Sequence, residues 1–301
     1  MRSFIGLTKR NMLVYLRDKA TVFFSLLSPL IILFLYLMFL KQNYVDSVNS
    51  VIKGAGIEAF ITQSQVDGFV NSWLISGILA SSCITVPLSS LTLIVTDKET
   101  QKDYDLNASP VKKWKLGISY LVAAFLNTFI ITFIILTVGI ILINTGSTPL
   151  SIDKIVLCYL ALILGSLSGS AFMYVIVSFF KKNSAVGAFT GIVCAASGFL
   201  IGAYMPISMF ADWLQVVANT LPGSHIAGIF RNLLMGNALD DMNSLINSAQ
   251  FVNSMRDGFS LELNFFGNMI DVDVMWIYSI IALIVLILAD IFVYVKTSKR
   301  K

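Results

Sequence analysis

The segment Gly165-Ser166-Leu167-Ser168-Gly169 and the single histidine, His225, are the residues from which a nucleophile and its base would have to be assembled. A membrane serine protease needs these groups within hydrogen-bond reach of one another. The segment does not match a G-x-S-G pattern, and His225 adjoins Ser224, a poor geometry for a relay. No G-x-x-x-x-G-K-[ST] motif occurs, so the chain has no P-loop and binds no nucleotide in that manner by itself. Cys83, Cys158 and Cys194 lie in apolar runs without C-x-x-C spacing and read as small buried hydrophobes, not metal ligands. The residues with chemistry to offer are therefore charges and hydroxyls set in an apolar background.

Of 301 residues, 56% are hydrophobic and 13% charged, which marks an all-α polytopic membrane protein rather than a soluble domain. Six apolar runs reach the roughly 20 residues a membrane crossing requires: 21–40, 73–95, 116–143, 155–180, 186–204 and 274–295. Pro29 and Pro87 fall inside the first two and predict kinks. No small-residue cleavage site follows the first run, so no removable signal peptide is expected. Placing both termini in the cytoplasm puts 16 of the 21 basic residues on the inner side and most of the acids outside. The whole of 1–301 reads as one transmembrane domain, with segments 41–72 and 237–273 as polar outer loops.

Before the first run, residues 1–20 predict a helix with Arg2, Lys9, Arg10 and Arg17 on one side and Phe4, Ile5, Met12 and Tyr15 on another. Two readings stand: an interfacial helix on anionic headgroups or an acidic partner, and a basic flank that only sets topology. The loop 96–115 carries Asp97, Lys98, Glu99, Lys102, Asp103, Tyr104 and Asp105 in a short polar helix. Ser109-Pro110 should stop that helix, because proline excludes its predecessor from helical geometry. The loop is either a solvated connector or a charged knob offered to a cytoplasmic partner.

Buried charge is scarce. Asp290, the one acid inside an expected span, should snorkel or pair with a basic tail residue such as Lys296, and its isolation argues against a proton- or sodium-coupled pump. Asn127, Thr128, Thr132 and Thr137 suit interhelical hydrogen bonds. Gly187, Gly191, Gly198 and Gly202 recur along the fifth run, a small-residue stripe that admits close helix contact. Residues 205–236 are apolar but interrupted by Pro206, Asp212, Pro222, Gly223, His225 and Arg231. Broken helix is tolerated in a membrane only where protein or water re-satisfies the backbone. This segment predicts an outer re-entrant hairpin of two short helices, 210–220 and 226–235, turning at Leu221-Pro222-Gly223, with Trp213 at the interface. Arg231 should then find a carboxylate, Asp212 or Asp240.

Two motifs in these places carry a resemblance: Ala108-Ser109-Pro110-Val111 in the inner loop, and Pro206, Trp213, Leu214, Pro222, Arg231, Leu233, Leu234 and Gly236 in order and spacing after the fifth run. With the six runs and the N-terminal helix, the chain resembles the permease subunits of type-2 ABC (ATP-binding cassette) exporters, of the drug and multidrug kind, over nearly its whole length. It departs from them at His225, where the family has tyrosine, and at Gln101-Lys102, where Gly-Thr is common. The resemblance implies two separate ATP-binding subunits carrying ATP and Mg, with no cofactor in this chain and no catalysis by it. It also implies a second permease copy or a sister permease, a membrane-lipid environment with no nucleic-acid partner, and a bacterial plasma membrane location. Loop 97–110 and helix 2–19 would meet the ATPases, spans two and five would line the passage, and the hairpin would gate it. The sparse buried charge favours an apolar or amphipathic cargo: a drug, antimicrobial peptide or lipid. Polysaccharide or teichoic-acid export, and a non-transporting assembly or sensor role, are the alternatives.

Overall fold

A computed structural model of the chain describes residues 2–108, 111–146, 149–246 and 248–299, with the side chains of all but 105, 107, 245, 246 and 294–299. Ser109 and Pro110, expected to end the loop helix, lie outside the described residues, as do the side chains of Asp105 and Lys296.

Helix α1 (Arg2–Arg17) is amphipathic and buries Thr8, Asn11 and Tyr15. A short α2 (Lys19–Ser25) follows, its start capped by Asp18, whose Oδ1 accepts from the Thr21 backbone N–H at 3.2 Å. The first apolar run is not one straight helix. It breaks at Leu26, resumes as α3 (Leu27–Leu35), loosens into a π-helical turn over Tyr36–Leu40 and continues as α4 (Lys41–Gly54). Pro29 accounts for the break, since its ring bars the bond to the Ser25 carbonyl four residues earlier.

α5 (Gln63–Glu99) is much longer than the expected second span and starts from a capping box of Thr62 and Gln65. It is the axis of the bundle: 78% of its apolar window is buried, against 17% for the last span. α6 (Lys102–Ala108), α7 (Lys113–Asn144), α8 (Ile152–Ser178) and α9 (Asn183–Leu200) follow. Then come a 3-10 turn (Ile207–Met209), α10 (Asp212–Thr220), α11 (Pro222–Ile246), α12 (Ala249–Gly258), the antiparallel pair β1 (Leu263–Phe265) and β2 (Asn268–Ile270), and α13 (Val272–Lys299). Among the described residues six helices, counting α3 with its continuation through α4 as one, are long and apolar enough to cross a membrane.

Within 205–236, α10 and α11 meet at Leu221, and the second helix differs from the expected 226–235. α11 begins at Pro222, whose fixed φ and missing N–H suit a first helical position, and runs on to Ile246. Residues 237–246 read as acidic loop by composition, but Ala238, Leu239 and Met242 turn one apolar face inward. They lie in one buried cluster with Tyr44, Val48 and Ile52 of α4 and Phe251 and Met255 of α12, and α12 bridges α11 and α4. The two polar loops thus fold together as one cap at the end of the bundle away from α1.

The hairpin tip sits at mid-bundle, where Gly223 approaches Ile84 and Ile201. Immediately beside it, Pro87 deprives the Cys83 carbonyl of its helical partner, and Gly169 of α8 packs directly on that carbonyl, so that an added Cβ would collide with it. Because the obstacle is backbone, Gly169→Leu is expected to cost about 3 kcal/mol or more of stability. The check is the yield of monodisperse detergent-solubilised protein, with Gly6→Leu, on the exposed side of α1 where an added side chain meets only open space, as the neutral control.

Candidate functional site

The end of α5 nearest α1 is a junction of five elements, α1, α5, α7, α8 and α9. Asp97 is buried, and Arg10 of α1 grips it with both terminal nitrogens, Nη2 donating to Oδ1 at 2.8 Å and Nη1 to Oδ2. The Tyr120 hydroxyl of α7 donates to Oδ2 at 2.6 Å. Arg10 Nη1 also donates to Asn11 Oδ1 at 2.9 Å, and Asn11 Nδ2 to Ser119 Oγ at 3.2 Å, which fixes α1 along α7. The hydrogen bond to Asp97 raises the Arg10 pKa from its ordinary value against the opposing effect of burial. Such bidentate, charge-assisted contacts hold direction as well as distance. The expected basic face of α1 is therefore divided: Arg2, Lys9 and Arg17 stay exposed while Arg10 turns into the protein.

Neighbouring residues of α5 hold the other side. Thr96 Oγ1 donates to Asn183 Oδ1 at 3.0 Å and Lys98 Nζ to the Ser178 carbonyl at 3.0 Å. Glu99 Oε2 accepts from the Asn183 backbone N–H at 2.8 Å, placing a carboxylate on the first turn of α9, where the helix dipole favours it. Beyond Thr100, Gln101 takes a left-handed φ of 60° to start α6. Glycine adopts that conformation freely and glutamine does not, so Gln101 sits where the resembled family's glycine would be favoured. In α6, Asp103 is buried, while Lys102 and Tyr104 are exposed.

At the hairpin, Arg231 is fully buried. It meets neither Asp212, which is exposed at the start of α10, nor Asp240, which lies 3.4 Å from Lys154. Its partners are carbonyls: Nη2 donates to Ile201 at 2.9 Å and Gly202 at 2.6 Å, and Nη1 to Ser260 at 3.3 Å. Its guanidinium lies 5.8 Å from the Trp73 ring. The Ile201 and Gly202 carbonyls are the C-terminal end of α9, where the dipole is negative, so oriented backbone does the work expected of a carboxylate. Gly202, at φ 69°, makes the αL turn that aims them.

His225 Nε2 lies 2.7 Å from the Asn219 carbonyl and its ring stacks on Tyr278 at 3.9 Å, joining the two arms of the hairpin to α13. Ser224 Oγ donates to the Ala218 carbonyl at 2.6 Å and Ser168 Oγ to the Gly165 carbonyl at 3.3 Å, and no Ser–His bond occurs among the described residues. Pro206 is buried at the start of the 3-10 turn; Trp213 points away from the bundle, 69% exposed. Gly198 is filled by the Tyr204 ring, whereas Gly187 and Gly191 face open space. Asp290 is buried with no partner for its carboxylate among the described residues.

The family model for ABC-2 family transporter proteins matches residues 45–295. The chain belongs to that family. It is an ABC-2 permease, the membrane component that works with ATP-binding cassette subunits and not the ATPase itself. No curated protein matches it in sequence. The match begins within α4, so the α1 side of the Arg10–Asp97 junction lies outside it and rests on the structure alone. Tyr120 and Asn183 are functional candidates of this permease that no sequence motif flagged; only folding shows that they meet Asp97, Thr96 and Glu99.

Proposed function

We propose that this ABC-2 permease exports an apolar or amphipathic substrate, such as a drug, antimicrobial peptide or lipid, by alternating access driven by two separate ATPase subunits. ATP and Mg belong to those subunits. Both termini face the cytoplasm, and a second copy or a sister permease packs on the α9 face that exposes Gly187 and Gly191. The loop 97–110 and α1 receive ATPase movement, and the hairpin 205–236 gates the passage on the outer side.

The observation that carries this reading is the junction at the end of α5. A push on α6 or α1 reaches Asp97, and through Thr96, Lys98 and Glu99 it reaches the start of α9. α5 and α9 both abut the hairpin, so one input moves the gate from two sides. Support for an apolar cargo comes from the spans, whose buried polar residues are almost all hydroxyls and amides.

The test is charge reversal at Glu99 and Asp103 together, in the complex with its ATPase. ATP hydrolysis should continue while substrate export falls at least about tenfold, and Glu99→Gln alone should lose less, because an amide oxygen still accepts from Asn183. Wild-type export by the doubly reversed variant would refute the coupling role. ATPase stimulation across drug, peptide and lipid panels, measured on the same reconstituted complex, identifies the cargo class.

A further inference from the structure

A cleft of about 630 Å³ opens sideways between α3, α5 and α7 in the half of the bundle away from α1. That volume lies within the range of small-molecule sites. Its walls are aliphatic, including Leu30, Leu33, Ile78, Val138 and Leu142, and Leu30, Val138 and Leu142 are partly exposed at its lip, so it is open to the surrounding membrane. It runs along α3 from Leu26 to Leu37, about 17 Å at 1.5 Å per residue, roughly half of a 30 Å hydrocarbon core. That is the depth of a single leaflet's acyl chain.

Only one end of the cleft is polar. There Tyr36 donates to Asn71 Oδ1 at 2.7 Å, and Asp67 is the sole ionisable carboxylate in the lining among the described residues. Lys41 stands 3.6 Å from Asp67, with both side chains well exposed (41% and 37%). An exposed pair of this kind is held weakly and opens at little cost. The chain is also π-helical here, over Tyr36–Leu40, and single π-turns concentrate at functional sites. A cation and an anion side by side, at the headgroup end of a chain-length apolar cleft, complement a zwitterion on an acyl chain.

We infer that this cleft binds one membrane phospholipid with an ethanolamine headgroup. The phosphate rests on Lys41, the primary ammonium donates to Asp67, and an acyl chain fills the cleft. A choline headgroup carries no N–H to donate, and a glycerol headgroup offers Asp67 no charge.

The test is native mass spectrometry of the delipidated full-length chain after addition of defined lipids. Phosphatidylethanolamine should be retained over phosphatidylglycerol by roughly fivefold, the factor that one partly exposed charge contact commands. Asp67→Asn should erase that preference. Val138→Trp, at a half-exposed position that leaves the core intact, should remove retention by filling the cleft. Equal retention of the two lipids by the wild type would overturn the proposal, as would undiminished phosphatidylethanolamine on Val138→Trp. Asp67-dependent binding of dodecylamine without phosphatidylethanolamine binding would show that free cationic amphiphiles are the occupants. Efficient disulfide formation between two copies carrying Val138→Cys would show that protein covers the cleft, and would equally overturn it.

Discussion

Arg231→Met is expected to destabilise the permease by about 3 kcal/mol, a loss visible as a lower thermal midpoint in detergent. Two effects oppose each other. Removing the cation relieves the cost of burying a charge that has no carboxylate beside it. The same change strips the carbonyls of Ile201, Gly202 and Ser260 of their donors, and each buried orphan costs about 1–3 kcal/mol. The second effect prevails because two of those carbonyls terminate a helix and accept from no other donor among the described residues. Arg231→Lys should fall between wild type and methionine: an ammonium keeps the charge but cannot fork across two chain segments. Should the methionine variant prove as stable as wild type, the carbonyl pin is not what secures the cap to α9.

Asp97→Asn in the complex should leave ATP hydrolysis running and reduce export at least about tenfold, since the amide loses the bidentate grip of Arg10. Arg10→Ala should be the more damaging change for folding, because it leaves the buried Asp97 carboxylate facing only Tyr120, and breaking a buried pair from one side costs about 3–5 kcal/mol. A double-mutant cycle on Arg10 and Asp97, read by thermal unfolding, should return a coupling of about 2 kcal/mol. The sign of the pH effect follows from the raised Arg10 pKa: its contribution is fully present below the ordinary arginine value and is lost only above the raised one. Alkaline conditions used for transport assays should therefore not release this contact. A coupling near zero would mean that α1 is held by its packing on α7 alone.

The spans were legible because long apolar runs have few other fates, and the hairpin because Pro222, His225 and Arg231 disqualify 205–236 as a lipid-facing helix. Proline chemistry predicts a turn at Leu221–Gly223, and Leu221 is the residue that separates α10 from α11. The partner of Arg231 was not, because carbonyls at a helix end carry no sequence signature, while acids such as Asp240 do. The cap was missed for a related reason: the apolar positions of 41–54 and 237–246 are spaced along helices but diluted by charge, and only their mutual burial explains them. Arg10 and Asp97 were each singled out, but nothing in a chain of letters says that residues 87 positions apart meet.

α5 also has a mechanical consequence. Its 37 residues make a rod of about 55 Å at 1.5 Å per residue, longer than the hydrocarbon is thick. Pro87 removes one backbone bond; from it to Asp97 is an arm of about 15 Å, and from it to Gln63 one of about 36 Å. A tilt of about 5° about that point carries the short arm by about 1 Å and the long arm by about 3 Å, in opposite directions. Gly169 packs on the backbone at that fulcrum and the α10–α11 turn at Gly223 rests one helical turn away on Ile84, so where one proline falls sets the gearing between the two ends of α5.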